Sequence, residues 1–153
     1  LLISFATMGF LFWNFPVAKI FMGDTGSGFL GIVFGVFSIY AGWINPELFW
    51  AWIILLGAFI VDASFTLVRR ALQGKKIYEA HRSHAYQHAA QIYGHTRVSL
   101  LYGAINLFWL FPVAALVIWG YLDGILGVII AYLPLVPGVF RFKGGRDMKE
   151  RKI

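Results

Sequence analysis

Two polar clusters interrupt an otherwise apolar sequence, and both contain residue types that bind phosphate. The first is the segment NFPVAKIFMGDTGSG, residues 14–28, in which Lys19 and Asp24 lie five positions apart among glycines and hydroxyls. The second is RRALQGKKIYEAHRSHAYQHAAQIYGHTR, residues 69–97, which contains all 4 histidines of the chain. A cation, a carboxylate and imidazoles together are groups that neutralise and orient a phosphoryl group.

The glycine-rich segment has the features of an anion site at the start of a helix. Asp24, Thr25 and Ser27 are all helix-capping residue types, and glycine lets the backbone approach a ligand closely. A helix N-terminus attracts anions, and one carboxylate together with substrate phosphates can hold Mg²⁺. Lys19 would add a second positive charge. A simpler interpretation is that Asp24 or Thr25 only caps the next helix. A Walker P-loop is excluded, because no Gly-Lys-Ser/Thr follows.

The histidines of the second cluster have a helical spacing. If the segment is one helix, a single face presents His81, His84, His88, Gln91 and His95. Arg82 and His84 could then hold a diphosphate, because arginine makes bidentate contacts and histidine titrates near neutral pH. Two alternatives stay open: the face is merely the polar side of an amphipathic helix, or His84 and His88 bind a transition metal. The metal is disfavoured because the chain has no cysteine and Glu79 is the only acidic residue nearby.

The composition indicates which kind of secondary structure holds these two polar clusters in place. Of the 153 residues, 59% are hydrophobic and 13% are charged, and the mean hydropathy is +0.73. A soluble domain of this length has too little interior to bury so much apolar surface. The sequence therefore predicts an all-α fold, a polytopic transmembrane helix bundle. The absence of cysteine excludes disulfides and Cys-based metal sites.

About five spans are expected. The apolar run at the start of the chain, up to residue 13, is interpreted as a truncated first helix, so we expect residues 1–153 to be the C-terminal part of a longer protein. The other four predicted spans are residues 28–44, 48–68, 98–119 and 122–140. Pro112 is expected to kink the fourth span, and Pro134 and Pro137 are expected to bend the end of the fifth.

The basic residues are segregated among the segments between spans. All 13 Lys and Arg residues lie in segments 14–27, 69–97 and 141–153, and the turns at 45–47 and 121–123 contain none. Cytoplasmic segments attract such an excess, so we expect two cytoplasmic loops and a cytoplasmic tail. The net charge of +6 therefore requires no nucleic acid as partner, and the basic tail suits anionic lipid headgroups.

The segment PVAKIFMGDTGS resembles the signature of the polyprenyl-phosphate N-acetylhexosamine-1-phosphate transferases, of the glycosyltransferase family 4 type. The resemblance implies a Mg²⁺-dependent integral membrane enzyme that moves a sugar-1-phosphate from a UDP-sugar to undecaprenyl phosphate and releases UMP. It further implies that Asp24 ligates Mg²⁺ and acts with Lys19 in catalysis, that Phe21 lies at the nucleotide base, and that Asn14 belongs to the same site.

The segment IYEAHRSHAYQH resembles the histidine motif of this family, in the form found in the branch that serves O-antigen and other surface polysaccharides. The resemblance implies that His81, Arg82 and His84 contact the nucleotide-sugar donor. The commoner form of the motif is His-x-His-His, whereas AYQ follows His84 here. This departure leaves the role of each histidine open.

One carboxylate, Asp62, falls inside the predicted span 48–68. A carboxylate within a membrane is costly and is usually partnered or functional. Asp62 precedes Arg69 by about 10 Å along a helix, and VDASFTLVRR is similar to the family's D…RR pattern. We expect a structural ion pair here rather than a catalytic group.

Two motifs expected from the family resemblance do not occur in this sequence. The family uses an adjacent aspartate pair and an N…N…DG segment, neither of which occurs in this sequence, so we expect the chain alone to be inactive. The expected setting is the bacterial inner membrane, multi-pass, with a cytoplasmic active site, and a homodimer is possible. The sequence does not identify the sugar or the glycan.

Two alternative functions remain. The peptidoglycan phospho-N-acetylmuramoyl-pentapeptide translocase belongs to the same superfamily, but it has a run of consecutive histidines where this chain reads HRSHAYQ. A non-enzymatic polytopic transporter would place its ionisable residues at the bilayer midplane between repeated halves. Here those residues are predicted to lie at the membrane surface, which disfavours a transporter.

Overall fold

The computed structural model describes residues 1–74 and 83–142, and within these ranges the chain is helical without strands. The helices are α1 (Leu2–Asn14), α2 (Gly23–Ile44), α3 (Pro46–Leu55), α4 (Gly57–Leu72), α5 (Ala85–Tyr93), α6 (His95–Ile105), α7 (Phe111–Ile118), α8 (Gly124–Tyr132) and α9 (Leu135–Arg141), with a π-helical turn at Asn106–Leu110 between α6 and α7. The predicted all-α bundle is confirmed.

Three helical stretches in these ranges are long and apolar enough to cross a membrane: Gly23–Ile44, His95–Ile118 and Gly124–Arg141. A fourth span results if α3 and α4, which meet at an angle of 67°, are counted together. The predicted first span corresponds to α1, which has 13 residues and is a shorter apolar helix. The expected apolar segments are therefore all present, but α1 is too short to count as a span.

The third predicted span, residues 48–68, is not one continuous helix, and the expectation of an unbroken span was wrong. The break lies at Leu56, between α3 and α4. The Tyr132 hydroxyl donates to the carbonyl of Ile53 at 2.8 Å, which in an unbroken helix would accept from the amide of Gly57. The Tyr132 ring also lies against Gly57, where an added Cβ would come within 2.6 Å of Cε1. A tyrosine from α8 therefore occupies the bend and satisfies the carbonyl beside it.

The prolines behave differently in the two later spans. Pro112 was expected to kink its helix, but a π-helical turn precedes it and His95–Ile118 continues as a single span. A π-turn shifts the hydrogen-bond register, which removes the need for the amide that proline lacks. Two residues, 133 and 134, separate α8 from α9, and Gly124–Arg141 nevertheless continues as a single span.

Small residues form the centre of the bundle. The largest buried cluster joins α3, α7 and α8, and it includes Ala51, Ile54, Ala114, Val117 and Ala131. Gly127 lies against Val117 and Ile54, and Gly124 lies against the ring of Trp50. Small side chains let membrane helices approach closely, which is how such bundles gain their packing contacts.

Two contacts join the described parts of the three basic segments. The Thr96 hydroxyl, at the start of α6, donates to the carbonyl of Pro16 in the α1–α2 loop at 3.0 Å. The ring of Phe142, just after α9, packs edge-on against Tyr93 of α5 with centroids 6.1 Å apart. The glycine-rich loop, the histidine segment and the start of the tail therefore gather at one end of the bundle.

Candidate functional site

The α1–α2 loop folds back over the end of α1. The Asn14 side-chain amide donates to the carbonyl of Ile20 at 3.1 Å, and the amide of Lys19 donates to the carbonyl of Trp13 at 3.0 Å. The Lys19 ammonium lies 5.6 Å from the centre of the Trp13 ring, within the range of a cation–π interaction. Lys19 itself is exposed. The loop is thus closed by Asn14 and presents a lysine at its surface.

Helix α2 begins at Gly23, five residues before the predicted start of that span. Gly23 has φ +68°, a conformation that favours glycine. The N-cap is Met22 and no side chain caps the helix, so the interpretation of Asp24 or Thr25 as the cap was wrong. Asp24 lies in the first turn and is exposed, where the positive end of the helix dipole favours negative charge. Its carboxylate therefore faces solvent at the start of α2.

A cavity of about 710 Å³, here called the motif cavity, lies between this loop and the start of α6. Its lining includes Asn14 and Phe21 from the motif, and His95, Thr96 and Ser99 from α6. The Thr96–Pro16 hydrogen bond closes one side of it. Two of the predicted site residues, Asn14 and Phe21, are therefore brought together around one cavity.

Helix α4 carries a polar stripe, which consists of Asp62, Thr66 and Arg70. The three are spaced at i, i+4 and i+8, so they lie on one face, and their exposed fractions are 3%, 0% and 6%. The Thr66 hydroxyl donates to Asp62 Oδ1 at 3.2 Å. Arg70 Nη1 donates to the hydroxyl of Ser83, itself fully buried, at 3.5 Å. The stripe thus meets the segment that leads into α5.

Asp62 binds the first turn of α5, and the ionisable group that faces it is His84 rather than Arg69. Oδ1 accepts from the amide of Ala85 at 2.9 Å, and Oδ2 accepts from the amide of Tyr86 at 3.1 Å. The Nδ1 atom of His84 is 3.6 Å from Oδ1. The Arg69 guanidinium lies instead over the ring of Phe65, 6.0 Å from its centre. Two backbone amides at a helix N-terminus, with His84 beside them, therefore occupy the position expected for an arginine.

The single histidine face predicted for residues 81–95 was also wrong. His84 precedes α5 in an extended conformation, His88 lies within α5, and His95 opens α6 after Gly94, whose φ is +84°. Two features divide the segment into separate elements. Asp62 accepts hydrogen bonds from the first amides of α5, which makes this the start of a helix. The positive φ of Gly94 then ends α5 before α6 begins. His81 and Arg82 lie outside the described residues.

A second cavity of about 570 Å³, here called the bend cavity, lies between α4 and α6 beside the α3–α4 bend. Polar side chains on its wall include Asp62, His84, Tyr86 and Tyr102, and the ring centres of His84 and Tyr86 are 5.9 Å apart. Ser99 lines both this cavity and the motif cavity. The glycine-rich motif and His84 therefore approach the same part of α6 from two sides.

Lys19 and Asp24 do not line the motif cavity or the bend cavity. Neither belongs to the walls of the two cavities, although both come from the loop that closes the motif cavity. Within residues 1–74 and 83–142, no group of three or more His, Cys, Asp or Glu side chains is placed to hold a metal. A lone exposed carboxylate is nevertheless a fitting protein ligand for Mg²⁺ where substrate phosphates supply further oxygens.

Several polar residues at the site were not singled out from the sequence. They are Thr66, Arg70, Ser83, Thr96 and Ser99. The spacing of Asp62, Thr66 and Arg70 was a usable signal, since three polar residues at i, i+4 and i+8 in an apolar helix share one face. Thr96 and Ser99 gave no such signal, because their importance comes only from the contact between α6 and the α1–α2 loop.

Fold and site together define a polytopic membrane helix bundle with two cavities that share Ser99 and have polar side chains within largely apolar walls. Residues 1–42, which include PVAKIFMGDTGS, match the model of glycosyl transferase family 4. This match bears out the resemblance, noted in the sequence, of this segment to the polyprenyl-phosphate hexosamine-1-phosphate transferases.

Curated relatives are similar to a longer part of the chain. A probable undecaprenyl-phosphate N-acetylglucosaminyl 1-phosphate transferase of Bacillus subtilis (strain 168) is 42% identical over 88 residues, 56% of this chain and 25% of the relative. The phospho-N-acetylmuramoyl-pentapeptide-transferase of Endomicrobium trichonymphae is 40% identical over 79 residues, 48% of this chain and 20% of the relative. That of Staphylococcus aureus (strain JH9) is 38% identical over 82 residues, 52% of this chain and 24% of the relative. The matches thus span a quarter or less of these relatives. No solved structure matches the chain.

Proposed function

We propose that the whole protein transfers an N-acetylhexosamine-1-phosphate from a UDP-sugar to undecaprenyl phosphate and releases UMP. We propose that the reaction occurs at the cytoplasmic face of the bacterial inner membrane. One observation carries the proposal: the motif cavity, lined by Asn14 and Phe21, and the bend cavity, lined by His84, share Ser99. The names of the relatives support the same reaction class.

The reaction makes one bond and breaks one. An oxygen of the lipid phosphate forms a bond to the sugar-bearing phosphorus of the donor. The bond from that phosphorus to the bridging oxygen breaks, and UMP leaves with this oxygen and its negative charge. Phosphoryl transfer of this kind depends mainly on alignment and charge neutralisation, with little covalent participation by the protein.

The residues of the α1–α2 loop and α2 are assigned to the donor. Phe21 is an exposed aromatic ring on the wall of the motif cavity, and it would stack on the uracil base. Asn14 holds the loop in shape through Ile20. Lys19 would direct its ammonium to the diphosphate. Asp24 would hold Mg²⁺, and the bound ion would neutralise charge on the diphosphate and the leaving group.

The histidine segment is assigned to the opposite side of the donor. His84 stands on the wall of the bend cavity, next to α6, and an imidazole there would donate a hydrogen bond to a phosphate or sugar oxygen. His81 and Arg82 are proposed to add donors to the same group. The acceptor phosphate is confined to the bilayer, so a site at the end of a membrane bundle lets both substrates meet.

A second candidate is transfer of phospho-N-acetylmuramoyl-pentapeptide, since several of the similar relatives carry that name. The two candidates share an acceptor and differ in the donor sugar. The altered histidine motif, HRSHAYQ, favours a donor other than the muramoyl pentapeptide. We further propose that residues 1–153 alone have no activity, because this sequence contains no adjacent aspartate pair.

The experiment compares donors with the purified whole protein in lipid nanodiscs. UDP-N-acetylglucosamine, UDP-N-acetylgalactosamine and UDP-N-acetylmuramoyl-pentapeptide are each offered with undecaprenyl phosphate and Mg²⁺, and UMP is quantified. We expect release with one of the first two donors and its loss on chelation by EDTA. Release with the pentapeptide donor alone would favour the second candidate, and release with none of the three would refute the transferase proposal.

A further inference from the structure

We propose that Asp62 is a positioning residue, whose carboxylate anchors the first turn of α5 to α4 and so fixes His84 on the wall of the bend cavity. The anchoring of α5 follows from contacts within the chain. Only the consequence for catalysis rests on the proposed function, through the role given to His84. Asp62 is not assigned a contact with either substrate.

The hydrogen bonds at the start of α5 form a complete set. The first amides of a helix have no partner within it and must find one elsewhere. The amides of Ala85 and Tyr86 donate to Asp62 at 2.9 and 3.1 Å. The amide of His84 donates to Gln87 Oε1 at 3.2 Å, and the amide of Gln87 donates to the carbonyl of His84 at 3.1 Å. Two of these four amides therefore depend on a side chain from another helix.

Both oxygens of Asp62 are needed for this arrangement. Oδ1 accepts from Ala85 and from the Thr66 hydroxyl, while Oδ2 accepts from Tyr86. Asp62 is 3% exposed, so little water is available to replace a lost bond, and hydrogen bonds in such low-dielectric surroundings are strong. An asparagine would turn one oxygen into an NH₂ group that faces an amide donor. A glutamate would keep both acceptors on a longer side chain.

The anchor reaches His84 directly. His84 is the residue before Ala85, and its Nδ1 atom is 3.6 Å from Asp62 Oδ1. Its ring lies over that of Tyr86, whose amide Asp62 also binds. If the α5 turn moved away from α4, the imidazole would leave the cavity wall with it, although no atom of His84 had been changed.

The first test measures UMP release by the whole protein, with UDP-N-acetylglucosamine or the donor identified above. Asp62→Asn is expected to lower kcat at least tenfold, and Asp62→Glu is expected to recover part of that loss. Asp123→Asn is the matched control, because Asp123 Oδ1 also accepts two helix-start amides, of Ile125 and Leu126 in α8. This control is expected to retain activity within twofold.

The second test replaces the anchor by a covalent tether. Val61 of α4 and Ala85 of α5 belong to one buried cluster, and both are changed to cysteine in a cysteine-free version of the whole protein. With Asp62 present, oxidation is expected to form the disulfide. In the Asp62→Asn background the disulfide is expected to form more slowly and, once formed, to restore kcat to within about threefold of the tethered Asp62 protein. Reduction should abolish the recovery.

Each alternative outcome contradicts the proposal. Failure of the disulfide to form with Asp62 present would show that α5 is not held against α4. Equal rates of disulfide formation in the original and the Asp62→Asn backgrounds, or a tethered Asp62→Asn protein that stays inactive, would show that Asp62 does not act by positioning. If the protein containing Asp62 released no UMP at all, the proposed function would fail, while the disulfide rates would still test the anchor.

Discussion

Two aspartates of this chain, Asp62 and Asp24, have different proposed roles because one is buried and the other is exposed. Asp62 is buried, and its carboxylate oxygens accept hydrogen bonds from two backbone amides and a hydroxyl. These oxygens therefore stabilise contacts within the chain. Asp24 is exposed in the first turn of α2. A metal ligand needs an oxygen that can exchange water for the ion. Asp24 meets that need, which supports the proposal that Asp24 holds the ion.

The first prediction concerns Asp24. Changing Asp24 to Asn in the whole protein removes the charge that would hold Mg²⁺ and keeps the volume of the side chain. Loss of one electrostatic contributor of this kind typically lowers kcat by about 10²–10³, and we expect a fall in UMP release within that range. Ser38→Ala, on α2 far from its first turn, is the control, with unchanged release expected. An Asp24→Asn protein within threefold of the original would exclude Asp24 as the metal ligand.

The second prediction concerns Phe21. Its side chain is 87% exposed on the wall of the motif cavity, so truncation to alanine removes little packing within the chain. Stacking of an aromatic ring on a base contributes about 1–3 kcal/mol, which corresponds to a KM for the UDP-sugar about 5- to 150-fold higher. Phe21→Tyr is expected to keep the KM near the original value, since it preserves the ring. The measurement is initial-rate kinetics at saturating undecaprenyl phosphate.

Phe12→Ala provides the comparison for Phe21. Phe12 is an aromatic residue of α1, 78% exposed, and it does not line the motif cavity. Its truncation should leave the KM for the UDP-sugar unchanged. Equal effects of the two alanine variants, or no effect of either, would contradict the assignment of Phe21 to the nucleotide base.

At the scale of elements, the bend between α3 and α4 depends on a partner from α8. The hydroxyl of Tyr132 reaches the carbonyl of Ile53, 79 residues earlier in the chain, and its ring occupies the space beside Gly57. Irregular backbone inside a membrane protein is tolerated where neighbouring helices satisfy the freed polar groups. The bend places the bend cavity between α4 and α6, so it is part of the site's construction.

The third prediction tests this bend. Gly57→Ala adds a Cβ that would lie 2.6 Å from Tyr132 Cε1, and the ring would have to move away. Overpacking of this kind lowers the free energy of unfolding by about 1–3 kcal/mol, measurable by chemical denaturation in detergent micelles. Gly103→Ala in α6, where an added Cβ meets nothing within 4 Å, should be neutral or slightly stabilising. A Gly57→Ala protein as stable as Gly103→Ala would mean that Tyr132 does not pack at the bend.

The apolar runs and the prolines were enough to predict most helices, because hydropathy and helix breakers act locally. The break at Leu56 could not be predicted, since Leu48–Val68 contains no proline and the cause lies in Tyr132. The division of the histidine segment was missed for a similar reason: Asp62 binds α5 amides that lie 23 and 24 residues later in the chain. Local spacing indicated candidate residues for the chemistry, but not which of them share a cavity.

At the scale of the whole molecule, the polar groups of the site gather at one end while the sides are apolar. Helix α2 has no buried residue, and its exposed side chains include Ile32, Val36, Phe37 and Ile39. Such a surface suits lipid tails, which replace water around transmembrane helices. The gathering of the basic segments at one end fits a single membrane orientation for the loop, the histidine segment and the tail.

The last prediction is that this end faces the cytoplasm. Single cysteines are placed in a cysteine-free whole protein at three exposed positions: Val17 in the α1–α2 loop, Gln91 in α5, and Tyr121 in the turn before α8. A membrane-impermeant maleimide should label the first two only in inside-out vesicles and the third only in right-side-out vesicles, because basic segments are retained in the cytoplasm. Labelling is read by a mass shift on a gel after purification.

The pattern of labelling separates two possible errors. If Val17 and Gln91 were both labelled from outside the cell, the proposed membrane orientation would be wrong. The proposal that the two segments form one site would still hold. If they were labelled from opposite sides, the hydrogen bond between Thr96 and Pro16 could not exist in the membrane. Asn14 and His84 would then lie too far apart to contact one donor molecule, since the hydrocarbon core alone is about 30 Å thick.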